Sequence, residues 1–123
     1  DDILGIWLEE EKQSKIKIYK KDNKFYGKII WLEEPLDENG QIKLDKENPN
    51  PSLRKKPING LEIMKNLIFI KKRTWENGEI YDARSGKTYS LVVYMTDDNT
   101  LDLRGYLGFT LFGKTTTWTR VKN

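Results

Sequence analysis

The sequence predicts an all-β protein, a closed antiparallel up-and-down β-barrel of about eight strands. Helical periodicity is almost absent, whereas short runs of alternating apolar and polar residues recur between turn-forming pairs such as Asn-Gly and Ser-Gly. Four Trp, six Tyr and four Phe supply large rings for a core, which argues against disorder. The same strands permit a β-sandwich as the alternative, but closing the sheet leaves no exposed edge strand.

The predicted strands follow one another as hairpins. Asp22-Asn23, Glu76-Asn77-Gly78, Ser85-Gly86 and Asp97-Asp98-Asn99 are turn signals, because Asn, Asp and Gly tolerate left-handed backbone angles. A bend over residues 108–113 leads into the last strand. The predicted strands are residues 6–8, 15–19, 25–32, 67–73, 79–82, 87–95, 100–107 and 114–121.

Residues 1–123 fit one domain, interrupted by a segment at 33–60 that holds all four prolines. We call this segment the 33–60 loop. It is expected to be partly irregular, with a short strand near 42–44 and a short helix near 51–54, and to cover the barrel mouth. Its oxygen-bearing side chains lack the ordered spacing of a calcium loop, so turn and cap chemistry is predicted instead of a metal site. These side chains belong to Asp45, Glu47, Asn48 and Asn50.

The amino-acid composition argues against several classes of function. The chain has no cysteine and no histidine, which removes thiol chemistry and the commonest general base and metal ligand. No catalytic residue and no cofactor are predicted, and a binding or scaffolding module is favoured over an enzyme. The net charge of +3 is modest, so binding to single-stranded nucleic acid is the least favoured hypothesis. The longest apolar runs, 67–70 and 91–95, are far too short to span a membrane.

Three residues are predicted to join the ends of the barrel. Gly5 permits a tight entry into the first strand, and the Trp7 ring is expected to plug the closed end. Arg120, near the end of the last strand, can stack over that indole. The Gly-x-Trp and Arg pattern resembles the signature of the lipocalin and fatty-acid-binding-protein superfamily, and the three residues are predicted to act as a structural latch.

A fuller pattern covers nearly the whole chain and resembles a bacterial family catalogued as domain of unknown function twenty-one forty-seven. The resemblance implies a lipocalin-like barrel that is exported to the periplasm or cell envelope, and it implies no established activity. The chain departs from the family at two places. Lys21 and Tyr26 stand where many relatives have cysteine, which weakens the argument for export, and Ala83 stands where relatives tend to have Pro. Because the chain opens on Asp1 without Met, a processed form is expected. The matching segments are Gly5-Ile6-Trp7, Gly27-Lys28-Ile29-Ile30-Trp31-Leu32, Asn48-Pro49-Asn50-Pro51-Ser52-Leu53-Arg54, Gly78-Glu79-Ile80-Tyr81-Asp82, Ser85-Gly86-Lys87-Thr88-Tyr89, Leu103-Arg104-Gly105-Tyr106, Leu111-Phe112-Gly113 and Thr117-Trp118-Thr119-Arg120-Val121.

The ligand-binding candidates are Trp31, Arg54, Arg104, Tyr106 and Trp118. Arg104 and Tyr106 share one face of a strand, where an Arg-x-Tyr pair could hold a carboxylate. The alternative is that Leu101, Leu103 and Leu107 face inward and strict alternation directs Arg104 and Tyr106 outward.

The favoured hypothesis is a non-catalytic barrel of the bacterial envelope that binds a small apolar or amphipathic molecule between its mouth and the 33–60 loop. The alternative is a protein-interaction module whose barrel is filled by its own side chains, since an eight-stranded barrel permits either interior.

Overall fold

The computed structural model describes residues 1–108, 110–111 and 115–122, and nearly all of their regular structure is β. None of the helices in this described part is long and apolar enough to cross a bilayer. The strands are Gly5–Leu8 (β1), Ser14–Lys21 (β2), Lys24–Leu32 (β3), Glu62–Lys71 (β4), Thr74–Asp82 (β5), Lys87–Asp97 (β6), Thr100–Leu107 (β7), Thr110–Leu111 (β8) and Thr116–Arg120 (β9).

The strands close into a barrel. Strands β1 to β7 pair in sequence order, β7 pairs with β9, and β9 pairs back with β1, always antiparallel. Within the described residues this ring has eight strands, and the two-residue β8 lies beside the end of β7. The predicted up-and-down barrel is confirmed, and the β-sandwich alternative is wrong because no edge of the ring is left unpaired.

The two ends of the barrel differ. The β2–β3, β4–β5 and β6–β7 turns gather at the end that we call closed, where Phe25 packs edge-on against Trp75 with ring centroids 6.4 Å apart. The 33–60 loop and the β5–β6 turn lie at the opposite, open end. Inward-facing positions of every long strand build one core, as alternation requires. Its buried members are Ile3, Trp7, Ile16, Ile18, Phe25, Ile29, Ile63, Met64, Leu67, Trp75, Leu91, Val93, Met95, Leu101, Leu103 and Trp118.

One of the turns predicted from the sequence is a β-bulge in the structure. Asn77 and Gly78 lie inside β5, where the pairing with β6 shifts register between Trp75 and Gly78. The hairpin turn lies earlier, at Lys72 and Arg73. Both features need left-handed residues (φ is +64° at Asn77 and +61° at Arg73), so the residue types alone could not separate a turn from a bulge.

The predicted last strand is described from Thr116 to Arg120. Residues 109, 112 and 113 of the predicted bend and residue 114 of the predicted strand lie outside the described residues. The 33–60 loop contains isolated bridges, Leu36 with Ile42 and Leu44 with Pro57, in place of the short strand predicted near 42–44. The predicted short helix is a single 3₁₀ turn at Pro51–Leu53, capped by the Asn50 side chain.

Candidate functional site

The open half of the barrel encloses a cavity of about 630 Å³. Its floor is apolar because six different strands each direct one buried side chain into it. Alternation along each strand explains why these positions, and not their neighbours, face the interior. The floor residues are Ile16, Ile29, Ile63, Leu91, Leu103 and Trp118.

Above the floor the wall becomes more polar, with Tyr81, Tyr89, Gly105 and Thr116 lining the cavity. Gly105 places no side chain on the cavity wall beside Tyr89. A Cβ atom built on Gly105 would lie 3.4 Å from the Cβ of Tyr89. A larger side chain at position 105 would therefore occupy the volume that a ligand would use.

The 33–60 loop covers the mouth. The loop residues on either side of Asp45 and one further apolar residue line the cavity, namely Lys43, Leu44, Lys46, Glu47 and Ile58. A fully buried carboxylate anchors the loop: Asp45 accepts hydrogen bonds from the Tyr81 hydroxyl at 2.7 Å and from Asn48 Nδ2 at 2.8 Å. The Asp45 amide also donates to the Lys56 carbonyl at 2.8 Å. Burial, followed by the hydrogen bond to Asp45, raises the pKa of Tyr81 to about 12.

A second attachment joins the loop to the β5–β6 turn. Gly86 has a φ of +75°, and a Cβ atom placed on it would lie 2.0 Å from the carbonyl oxygen of Glu47. Only glycine permits both this backbone angle and this close approach. The Ser85-Gly86 turn signal in the sequence thus marks the place where the loop backbone packs against the barrel.

The rim of the mouth carries charges of both signs. Arg84 forms ion pairs with Glu11 at 3.4 Å and Asp82 at 3.6 Å, while Lys43 and Lys46 line the rim from the loop side. The cavity thus has an apolar floor below a charged opening, an arrangement that suits an amphipathic molecule.

Of the five predicted ligand-binding residues, Trp118 alone lines this cavity. Trp31 lies outside it, with the Lys15 ammonium 4.8 Å from its ring centroid. Arg54 is exposed in the loop, where its Nε donates to the Asn48 carbonyl at 2.7 Å. Neither Trp31 nor Arg54 therefore lines the cavity that the structure shows.

Arg104 and Tyr106 do not line this cavity either, and Leu107 at the end of β7, predicted to face inward, is 52% exposed. Leu103 and Gly105 are the β7 residues that line the cavity, so alternation places Arg104 and Tyr106 on the outer face. Arg104 lies there with its guanidinium carbon 4.9 Å from the Tyr94 ring centroid and its Nη2 3.4 Å from the Asp102 carboxylate. The cavity of about 630 Å³ favours an open interior over the filled-barrel alternative.

The structure brings Gly5, Trp7 and Arg120 together. Trp7 and Arg120 face each other in the β1–β9 register, and the guanidinium carbon lies 4.3 Å from the centroid of the Trp7 ring. The same guanidinium donates hydrogen bonds of 2.8, 2.6 and 3.0 Å to the carbonyl oxygens of Leu4, Asp2 and Asp98. Gly5 has a φ of +131°, and a Cβ atom on it would lie 2.9 Å from Arg120 Nη1.

Sequence reasoning missed the Asp45–Tyr81 contact, which joins residues separated by 36 positions. In the sequence, Asp45 stood out only as one of the oxygen-bearing residues of the loop. Asn48 and Asn50 form hydrogen bonds within the loop and at the cap of the 3₁₀ turn. In the part of the chain that the structure describes, no group of three or more acidic side chains could hold a metal ion.

The comparisons with known proteins agree with this geometry. Curated proteins give no match to the chain. Among solved structures, the chain is similar to HP1028 of Helicobacter pylori, described as belonging to the lipocalin family, with 29% identity and a TM-score of 0.81 over 98% of this chain and 84% of that one. Residues 5–120 match the family described as "Uncharacterized protein conserved in bacteria (DUF2147)". The protein therefore belongs to this family of lipocalin-like barrels.

Proposed function

We propose that the barrel binds one small amphipathic molecule, with its apolar part on the Trp118 floor and its polar end at the mouth. The observation that carries this proposal is the cavity of about 630 Å³, which combines an apolar floor with a charged rim. Small-molecule sites in proteins have similar volumes, roughly 300–1,000 Å³.

The direction of binding follows from desolvation. Each methylene group that leaves water for the floor contributes about 0.8 kcal/mol. A charged group at the same depth would meet only the apolar floor side chains and would lose its hydration without a partner. At the rim, Lys43, Lys46 and Arg84 can meet an anionic head group, and Glu9 and Glu11 a cationic one.

Trp118 provides a built-in probe. We expect its fluorescence to change when a fatty alcohol, a fatty acid or a lysophospholipid of equal chain length is titrated into the protein. The Trp118→Phe variant should lose most of this change. The Trp31→Phe variant is the matched control and should keep it, because Trp31 lies outside the cavity.

Two results would reject the proposal: no saturable change with any of these compounds, or an equal loss of the change in both variants. Comparing the three head groups on one chain length also reveals which charge the rim prefers. A fatty acid that binds more tightly than the alcohol would assign the head-group contact to Lys43, Lys46 and Arg84.

We place this activity in the bacterial envelope, on the family resemblance that implies export. Expressing the full-length gene product with a C-terminal epitope tag and fractionating the cells tests this location. Recovery in the periplasmic or membrane fraction supports it, and recovery with cytoplasmic markers contradicts it.

A second candidate function is protein binding through the 33–60 loop. Leu36 and Ile42 form a bridged pair on the loop and are 50% and 60% exposed, which is unusual for two adjacent apolar side chains. A partner that the native protein captures and a Leu36→Ser/Ile42→Ser variant does not would support this function. Equal capture by both would contradict it.

A further inference from the structure

The closed end of the barrel carries an exposed apolar pair that the cavity does not use. Phe69 and Ile70 are consecutive residues near the tip of the β4–β5 hairpin and are 53% and 46% exposed. The Phe69 ring packs edge-on against Trp75, with centroids 5.8 Å apart, and is thereby held at the surface. A hairpin tip with two such side chains in water is unfavourable unless something covers them.

Lysines surround this pair. Lys71 and Lys72 follow directly in the chain, and both are exposed. Lys21 and Lys24 face each other across the β2–β3 turn and are exposed as well. Because β3 pairs with β4 at Phe25 and Leu67, this turn lies beside the Phe69 end of β4. We call the six residues Lys21, Lys24, Phe69, Ile70, Lys71 and Lys72 the closed-end patch.

The charge of the patch is largely uncompensated. Within the described residues, none of its four lysines forms an ion pair. The neighbouring β6–β7 turn carries Asp97 and Asp98, and Asp98 pairs with Arg73 of the β4–β5 turn at 2.7 Å. With Asp22 at the β2–β3 tip, the three hairpin tips hold five basic and three acidic side chains, an excess of two positive charges.

We propose that the closed-end patch docks the barrel on an anionic lipid bilayer. Charge complementarity selects this surface, because lysines that surround exposed apolar side chains meet lipid phosphates while the apolar groups enter the interfacial layer. Because only two apolar side chains project from the hairpin tip, Phe69 and Ile70 insert only shallowly into the bilayer. The lysine side chains can extend to the lipid head groups. Docking in this way directs the ligand mouth away from the bilayer.

Co-sedimentation with vesicles of phosphatidylcholine, with or without phosphatidylglycerol, tests the proposal. We expect the protein to bind the anionic vesicles, to bind neutral ones much less, and to be released by salt. Since each basic residue strengthens binding to an anionic surface about fivefold, Lys71→Gln/Lys72→Gln should weaken it roughly 25-fold. Ile70→Ser should weaken it further without disturbing the buried core, because Ile70 is already half exposed.

Matched controls lie at the other end of the molecule. Lys55→Gln/Lys56→Gln removes the same charge from the exposed 33–60 loop, and Ile42→Ser removes a similar exposed apolar side chain. Both should bind vesicles as the native protein does. Trp118→Phe should bind them normally too, which separates docking from uptake of a lipid into the cavity.

Three results would overturn the proposal. The first is absence of binding to phosphatidylglycerol vesicles, and the second is equal weakening by the two lysine-pair variants. The third is salt-sensitive binding of single-stranded DNA that depends on Lys71 and Lys72 while vesicles are ignored, which would assign the patch to a different polyanion.

Discussion

Replacing Arg120 with alanine is predicted to destabilise the barrel at the seam between its first and last strands. The guanidinium stacks on Trp7 at 4.3 Å and donates to three backbone carbonyl groups. Stacking of a partly exposed guanidinium on the buried Trp7 ring contributes about 1 kcal/mol. Hydrogen bonds from a charged donor to partly hydrated carbonyl groups add about 2 kcal/mol together. We therefore expect Arg120→Ala to lower the free energy of unfolding by about 3 kcal/mol.

This loss converts into a measurable thermal shift. At about 2.1 cal/mol/K per residue, unfolding 123 residues has an entropy near 0.26 kcal/mol/K. Each kcal/mol therefore lowers the Tm by about 4 °C, and Arg120→Ala should lower it by about 12 °C in differential scanning calorimetry. Arg104→Ala is the matched control, because Arg104 also lies over a ring on the barrel wall but bonds a side chain of its own strand. We expect a decrease of about 4 °C or less there.

Gly5 supplies an internal check on the same contact. Gly5→Ala should destabilise the native protein through its φ of +131° and through the clash of the new Cβ with Arg120 Nη1. The Arg120→Ala variant lacks this clash. The double variant should therefore lose less stability than the two single variants lose in total. Equal Tm values for Arg120→Ala and Arg104→Ala, or strictly additive losses with Gly5→Ala, would refute the proposed latch.

The remaining predictions concern the cavity and its loop. Gly105→Val should lower the affinity for the amphipathic ligand at least tenfold with little change in Tm; unchanged affinity in the fluorescence titration would place the ligand elsewhere. Tyr81→Phe leaves the buried Asp45 with one donor fewer and should cost about 2 kcal/mol in urea denaturation; no change in the midpoint would mean that the hydrogen bond does not anchor the loop. Burial raises the pKa of Tyr81, and also of Tyr19, from 10.0 to about 12. Their contribution to stability is therefore present below pH 10 and lost as the pH rises towards 12, and Tyr81→Phe should make this decline shallower in pH-dependent denaturation. Gly86→Ala should push the loop away from the barrel and speed tryptic cleavage within it; an unchanged cleavage rate would contradict this attachment.

Local patterns in the sequence were sufficient to predict the barrel. Alternation around Leu101 and Leu103 indicates which face of β7 is inside, and paired turn residues separate most strands. The contact of Trp7 with Arg120 was predicted from the resemblance to the lipocalin signature, and barrel closure accounts for it, because β1 and β9 must pair to complete the ring. These inferences succeed because each depends on neighbours in sequence or on the closure of a single sheet.

The cavity could not be predicted from the sequence and became apparent only in the three-dimensional structure. Asp45 becomes a buried acceptor only because the loop folds back on Tyr81, and no local pattern encodes a contact across 36 positions. Whether a barrel is open or filled depends on how side chains of six strands meet, and Gly105 leaves space only in relation to Tyr89. Trp31 was predicted to bind the ligand, but an aromatic residue type does not determine the direction of its side chain.

Two-dimensional ¹H–¹⁵N NMR during titration with the tightest-binding of the three single-chain lipids tests the central claim most directly. The account predicts large, saturable chemical-shift changes for the Trp118 indole and the Gly105 amide and smaller changes along the 33–60 loop. The signal of the Trp31 indole should not shift. Shifts confined to Trp31 and its outer-face neighbours, or none at saturating lipid, would contradict binding inside the barrel.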